Sequence, residues 1–163
     1  MAKANFVKKA RKDYPEHGVK KGESYWWWKF NFSRIKYISK EKPNRSQLTQ
    51  SSFFSTLWAI EDGIEKRFAG HICSDDIQNE LENLISEIEE LKDEVQGNLD
   101  NMPYQLQESN TGQLLQERID ELENWVSDLN GIDTSIEEGL SEEELENKIE
   151  EIIEEITSTS SGL

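Results

Sequence analysis

Residues 77–95 read IQNELENLISEIEELKDEV, in which Ile77, Leu81, Leu84, Ile88, Leu91 and Val95 recur in alternating steps of four and three. That spacing lines aliphatic side chains along one stripe of a helix, the pattern of a heptad seam. Ser74-Asp75-Asp76 supplies a cap and puts acids in the first turn, where they complement the helix dipole. A second seam runs through Leu115, Ile119, Leu122, Val126 and Leu129, after a segment broken by Gly97, Asn101, Pro103, Asn110 and Gly112. A third comprises Leu145, Ile149, Ile152 and Ile156, with Ile153 beside it, and opens on a capping box of Ser141 and Glu144. The reading is an acidic body of three helices over residues 74–157, with 158–163 as a flexible tail. Exposed seams of this length are not stable, so they close within the chain, between copies, or on another protein. Homo-oligomerisation is expected through Ile77, Leu81, Leu84, Ile88, Leu91, Leu115, Ile119, Leu122, Val126, Leu145, Ile149 and Ile152.

Charge divides the chain as sharply as hydrophobicity does. Residues 1–50 carry thirteen Lys/Arg against four Asp/Glu, and residues 51–163 carry five against thirty. Heptad surfaces ordinarily mix Glu with Lys, so an almost purely anionic set of helices costs stability. Three roles fit that cost: carboxylates standing where the phosphates of nucleic acid would be, cover for the basic end of the same chain, or simple solubility.

The basic end is also the aromatic end, since thirteen of fifteen aromatic residues precede position 69. Residues 2–22 are cationic and punctuated by Pro15, Gly18 and Gly22, which reads as an arm or loop. In SYWWWKFNF, residues 24–32, Trp26, Trp28, Phe30 and Phe32 alternate with Trp27, Lys29 and Asn31, the two-residue period of a strand. Ser33-Arg34 then offers a turn into a second strand, IKYIS, so the pair reads as a β-hairpin. The Trp26/Trp28/Phe30 face is expected to pack on the next helix, whose stripe is Phe53, Leu57, Ile60, Ile64 and Phe68, capped by Ser46 or Thr49 and stopped by Gly70. The whole is α+β and mostly α: a basic aromatic head over residues 1–73, then acidic heptad-patterned helices forming a bundle or coiled coil.

Cations neutralise phosphates and exposed rings stack on unpaired bases. On that basis Lys8, Lys9, Arg11, Lys12, Lys20, Lys21, Lys29, Arg34 and Lys36 are candidate phosphate contacts, and Trp27 and Tyr37 candidate stacking rings. The competing reading of Trp27 is an edge ring covered by the arm or by a partner subunit. The competing reading of the lysines is a solvated surface.

Motifs for catalysis are missing. There is no P-loop, nucleophile elbow, HExxH or glycine-rich dinucleotide turn, so a non-enzymatic protein without cofactors is expected. His71 and Cys73 lack a second ligand pair, and no metal is predicted. Cys73 is the sole cysteine, which excludes an intrachain disulfide. No apolar run approaches the ~18 residues of a membrane span, and no signal-peptide pattern opens the chain, so a cytoplasmic location without membrane contact is expected.

KKARKDYPEHGVKKGESYWWWKFNF (8–32) and RSQLTQSSFFSTLWAIEDGIE (45–65) resemble small accessory proteins of tailed bacteriophages and related bacterial elements. The likeness covers mainly residues 3–65 and brings no catalytic motif. It implies a host-interaction role in the host cytoplasm. Three functions are therefore expected: a nucleic-acid-associated protein whose acidic helices oligomerise the heads, an acidic DNA-mimic inhibitor of a host defence or nucleic-acid-processing protein, or a virion assembly or scaffold component.

Overall fold

The computed structural model describes residues 1–70, 73–136 and 140–163. The chain is α+β and mostly α, with one small antiparallel sheet. It forms two compact units, Met1–Ala59 and Ile60–Leu163. The division falls inside a helix rather than at Cys73, where the sequence placed it. Residues 51–59 carry no charge, so the units keep the charge partition read from the sequence: thirteen bases and four acids in the first, five bases and thirty acids in the second.

In the first unit, β1 (Asn5–Val7), β2 (Tyr25–Trp28) and β3 (Tyr37–Ser39) form a sheet of order β1-β2-β3. Trp27 pairs with Asn5 on one side and Ile38 on the other, and Trp28 pairs with Tyr37. The arm is thus not a loop but an edge strand and its return. Past β1, Ala10 donates to the Glu23 carbonyl at 2.8 Å and Gly22 donates to the Ala10 carbonyl at 2.9 Å. Tyr14 and Val19 then bridge around a 3₁₀ turn at Pro15–His17, which Gly18 closes at φ +64°. Scattered apolar residues hid this hairpin, because only Val7, Ala10, Tyr14 and Val19 face the sheet's small core, around Tyr25, with Trp27 and Ile38.

The aromatic strand is shorter than its alternation suggests. It ends at Trp28, and residues 29–36 form a loop in place of a two-residue turn at Ser33-Arg34. Neither Ser nor Arg favours the positive φ that tight hairpin turns require. Phe32 takes that conformation instead, at φ +63°.

Helix α1 (Ser52–Phe68) buries Phe53, Leu57, Ile60, Ile64 and Phe68, the stripe expected from their spacing. Its start is Ser51, whose hydroxyl accepts from the Phe54 N–H at 3.4 Å. Ser46 lies in a 3₁₀ turn, Arg45–Leu48, and its carbonyl accepts from Ser55 Oγ at 3.0 Å. Gly70, at φ +85°, follows the helix as the left-handed stop.

In the second unit, α2 (Ser74–Asp100) buries all six of its predicted seam residues. A short helix α3 (Tyr104–Gln107) leads into α4 (Asn110–Asn130), which packs along α2. The two are antiparallel: Ser74 Oγ donates to the Thr134 carbonyl at 2.6 Å at one end, and Gln107 Nε2 donates to the Leu99 carbonyl at 3.2 Å at the other. On α4 the seam is rotated from the heptad reading. Ile119, Leu122, Trp125 and Leu129 are buried, while Leu115 and Val126 are only half-buried. Trp125 carries far more apolar area than Val126, and its indole N–H donates to Thr159 Oγ1 at 3.0 Å, so turning the helix toward the larger ring wins.

Helix α5 (Glu142–Ser158) begins with the expected Ser141/Glu144 capping box and buries Ile149, Ile152 and Ile156, with Leu145 half-buried. The segment after it is held rather than frayed. Ser161 is 1% exposed, and its hydroxyl donates to Glu61 Oε1 at 2.7 Å. Nine of the twelve seam side chains expected to join copies of the chain are buried within one chain, and Leu115, Val126 and Leu145 are half-buried.

Gly112, in the first turn of α4, is buried, and a Cβ built there would lie 1.9 Å from the Gln107 carbonyl oxygen. A helical Gly→Ala change ordinarily gains up to ~1 kcal/mol. Gly112→Ala is expected to reverse that sign and cost about 1–3 kcal/mol, because the α3–α4 junction must move. Urea denaturation of the two proteins checks it, and a stabilised variant would contradict the close approach.

Candidate nucleic-acid interface

The register of the sheet decides where the candidate cations go. Strand β2 is central, so the segment before Tyr25 and the segment after Trp28 lie at opposite ends of it. Lys8, Lys9, Arg11, Lys12, Lys20 and Lys21 belong to the arm's return at the Tyr25 end, where Ala10 pairs with Gly22 and Glu23. Lys29, Arg34 and Lys36 belong to the loop at the Trp28 end. All nine are exposed. The four residues of β2 separate the two groups by roughly 10 Å or more at ~3.3 Å per residue. The sequence's single cluster is thus two basic patches joined by a strand of aromatic residues.

Acids at the arm end are engaged locally. Asp13 accepts from the Lys21 N–H at 2.6 Å. Glu23 accepts from the Lys20 N–H and pairs with Lys40 at 3.2 Å, and those contacts, the backbone one foremost, hold its carboxyl below the usual range. Asp13 and Glu23 thereby tie down the turn that displays the lysines.

Alternation along the strands puts Tyr25, Trp27 and Ile38 on one face and Phe6, Trp26, Trp28 and Tyr37 on the other. Trp27, the first stacking candidate, packs against the Tyr25 core and carries the Lys36 ammonium over its ring at 4.4 Å. One of its faces is thereby occupied, and Val7, Ala10, Tyr14 and Val19 of the arm pack on the same side of the sheet, although Trp27 lies on the central strand and not at an edge. The Tyr25 hydroxyl is pushed above its usual range by hydrogen bonding with Tyr14 and then by burial. Tyr37, the second candidate, is 37% exposed. It stacks on Trp28 at 5.6 Å and meets Phe30 edge-on at 5.6 Å. Phe6 lies over Trp26 at 4.9 Å and remains half-exposed.

The ring most open to solvent is one the sequence assigned to the hairpin's aromatic face. Phe32 has a relative exposure of 108%. Its turn is closed by the Ser33 N–H donating to the Phe30 carbonyl at 3.2 Å and continued by the Ile35 N–H on Ser33 Oγ at 3.1 Å. A signal was available in Asn31 and Ser33, which are turn formers, but the unbroken aromatic alternation masked it.

His71 lies outside the described residues, so its pairing with Cys73 has no structural counterpart here. Among the described residues, no helix is long and apolar enough to cross a membrane. No protein-family model, curated protein or solved structure matches the chain.

A non-glycine residue at positive φ costs on the order of 1 kcal/mol or more, and a fully exposed ring returns no burial energy. Phe32→Gly is therefore expected to leave thermal stability unchanged or raise it by up to ~1 kcal/mol, the relief being partly offset by the entropy of glycine. A loss above ~1 kcal/mol in differential scanning calorimetry would show instead that the ring packs in solution.

Proposed function

We propose that the chain is a non-enzymatic nucleic-acid-associated protein that binds through its first unit. The observation that carries this is the coincidence of three properties in residues 1–59: a balance of thirteen bases to four acids, exposure of every candidate cation, and a row of aromatic rings between the two basic patches. Phosphate neutralisation supplies affinity without sequence information, and rings beside the phosphates favour strands with accessible bases. The resemblance of residues 3–65 to phage accessory proteins is consistent with this use. Unit 2, in which α4 packs along α2, serves in this reading as an acidic helical body. Its carboxylates repel stray polyanions and leave contact to the basic unit.

Fluorescence anisotropy of labelled single-stranded DNA with the full chain, over a salt series, tests the reading. Binding is expected to fall with salt, the log–log slope losing about 0.7 for each phosphate contact removed. Lys8→Ala/Lys9→Ala and Lys29→Ala/Arg34→Ala should each flatten it. No binding by the wild-type protein at low salt rejects the proposal.

A second reading rests on the thirty acids and five bases of unit 2. In it the carboxylates take the place of phosphates in the basic groove of a nucleic-acid-processing protein. It predicts salt-sensitive displacement of duplex DNA from such a protein by the full chain, with Lys8, Lys9, Lys29 and Arg34 dispensable.

A further inference from the structure

We infer that Phe32 is a base-stacking residue, and that the tip of the β2–β3 loop is a site for an unpaired base of single-stranded nucleic acid. The inference rests on the reading of unit 1 as a nucleic-acid-binding unit and names the contact that reading left open. Trp27, the stacking candidate by sequence, is committed to the sheet core with Lys36 over one face of its ring. Phe32 is wholly exposed, and it occupies a positive-φ position that glycine or asparagine would fill with less strain. A strained aromatic that buries nothing contributes nothing to folding, so its value lies outside the fold.

The surroundings specify the ligand. Lys29 and Arg34 flank the turn and are exposed, so a phosphate on either side of the stacked base meets a cation. Lys36 is turned back over Trp27 and does not compete for the tip. Behind the turn, Phe30 meets Tyr37 edge-on and Tyr37 stacks on Trp28, which anchors the loop to the sheet through rings.

A duplex is the poorer ligand, since opening one base step costs about as much as a single ring stack returns, whereas a single strand presents bases already unstacked. An anionic membrane is also poorer. Binding there grows with buried apolar area, and inserting Phe32 would carry the exposed, polar Asn31 and the turn's backbone into the interface with it.

The test compares the full-length wild-type protein with Phe32→Gly, which the turn accepts, and with Phe32→Trp. The probes are a labelled dT20 strand and a 20-mer with the same phosphates but abasic at every position. Phe32→Gly is expected to weaken dT20 binding by about 5- to 150-fold, the equivalent of one base–ring stack. Affinity for the abasic strand and the salt slope should not change, and Phe32→Trp should restore dT20 binding. If Phe32→Gly binds dT20 as the wild type does, the inference is overturned while the proposed function stands. If the wild type binds neither strand at low salt, the proposed function fails and the inference with it. Loss of binding by Phe32→Gly to vesicles of phosphatidylserine and phosphatidylcholine, with dT20 binding unaffected, would overturn it in favour of a membrane tip.

Discussion

Thirty carboxylates against five cations repel one another across the second unit, and burial of the apolar stripes is the interaction that holds it folded. Each fully buried Leu, Ile or Val contributes roughly 1.5–3 kcal/mol, whereas a like-charge pair at helical spacing costs only a few tenths. Six such side chains on α2 alone therefore outweigh many unfavourable pairs. Two of the five cations cross between elements, Arg67 pairing with Glu80 and Glu87 and Lys92 with Glu123, while Lys148 pairs with Glu151 within α5. Polar ties close the unit at its ends, Ser74 to Thr134 and Ser161 to Glu61. The acidic surface is tolerated because the interior is largely apolar.

The first unit solves a different problem with less material. Its sheet has strands of three or four residues and a core built round Tyr25, so it depends on aromatic side chains for area. Strand β2 supplies rings to both faces, with Tyr25 and Trp28 buried and Trp26 and Trp27 half-buried. What remains open are the two ends of the strand. There the backbone turns, cations are displayed, and Phe32 is presented away from the sheet.

Periodicity and charge were legible without the fold. The α2 seam, the stripe of α1, the Ser141/Glu144 cap and the Gly70 stop all derive from local spacing and composition, and each appears where the residues placed it. These features depend on neighbours within a turn or two of helix, so a linear pattern contains them. Features that required a choice between equally good local patterns were not legible. Val126 completes the heptad and Trp125 does not, yet Trp125 is the residue fully buried, because Thr159 is positioned to accept its indole N–H.

The same distinction governs the candidate site. Sequence alone determined which residue types the basic unit offers, lysines and arginines interleaved with rings, because composition needs no geometry. Only tertiary structure decided which of those rings is free. Pairing of the arm as β1 and of Tyr37 with Trp28 set Trp27 against the core, half-buried, and left Phe32 on a turn. Alternation along a strand specifies that neighbouring side chains point opposite ways, but not which way is inward or where pairing stops. Those depend on partners distant in the chain, whose contacts exist only once the sheet has formed.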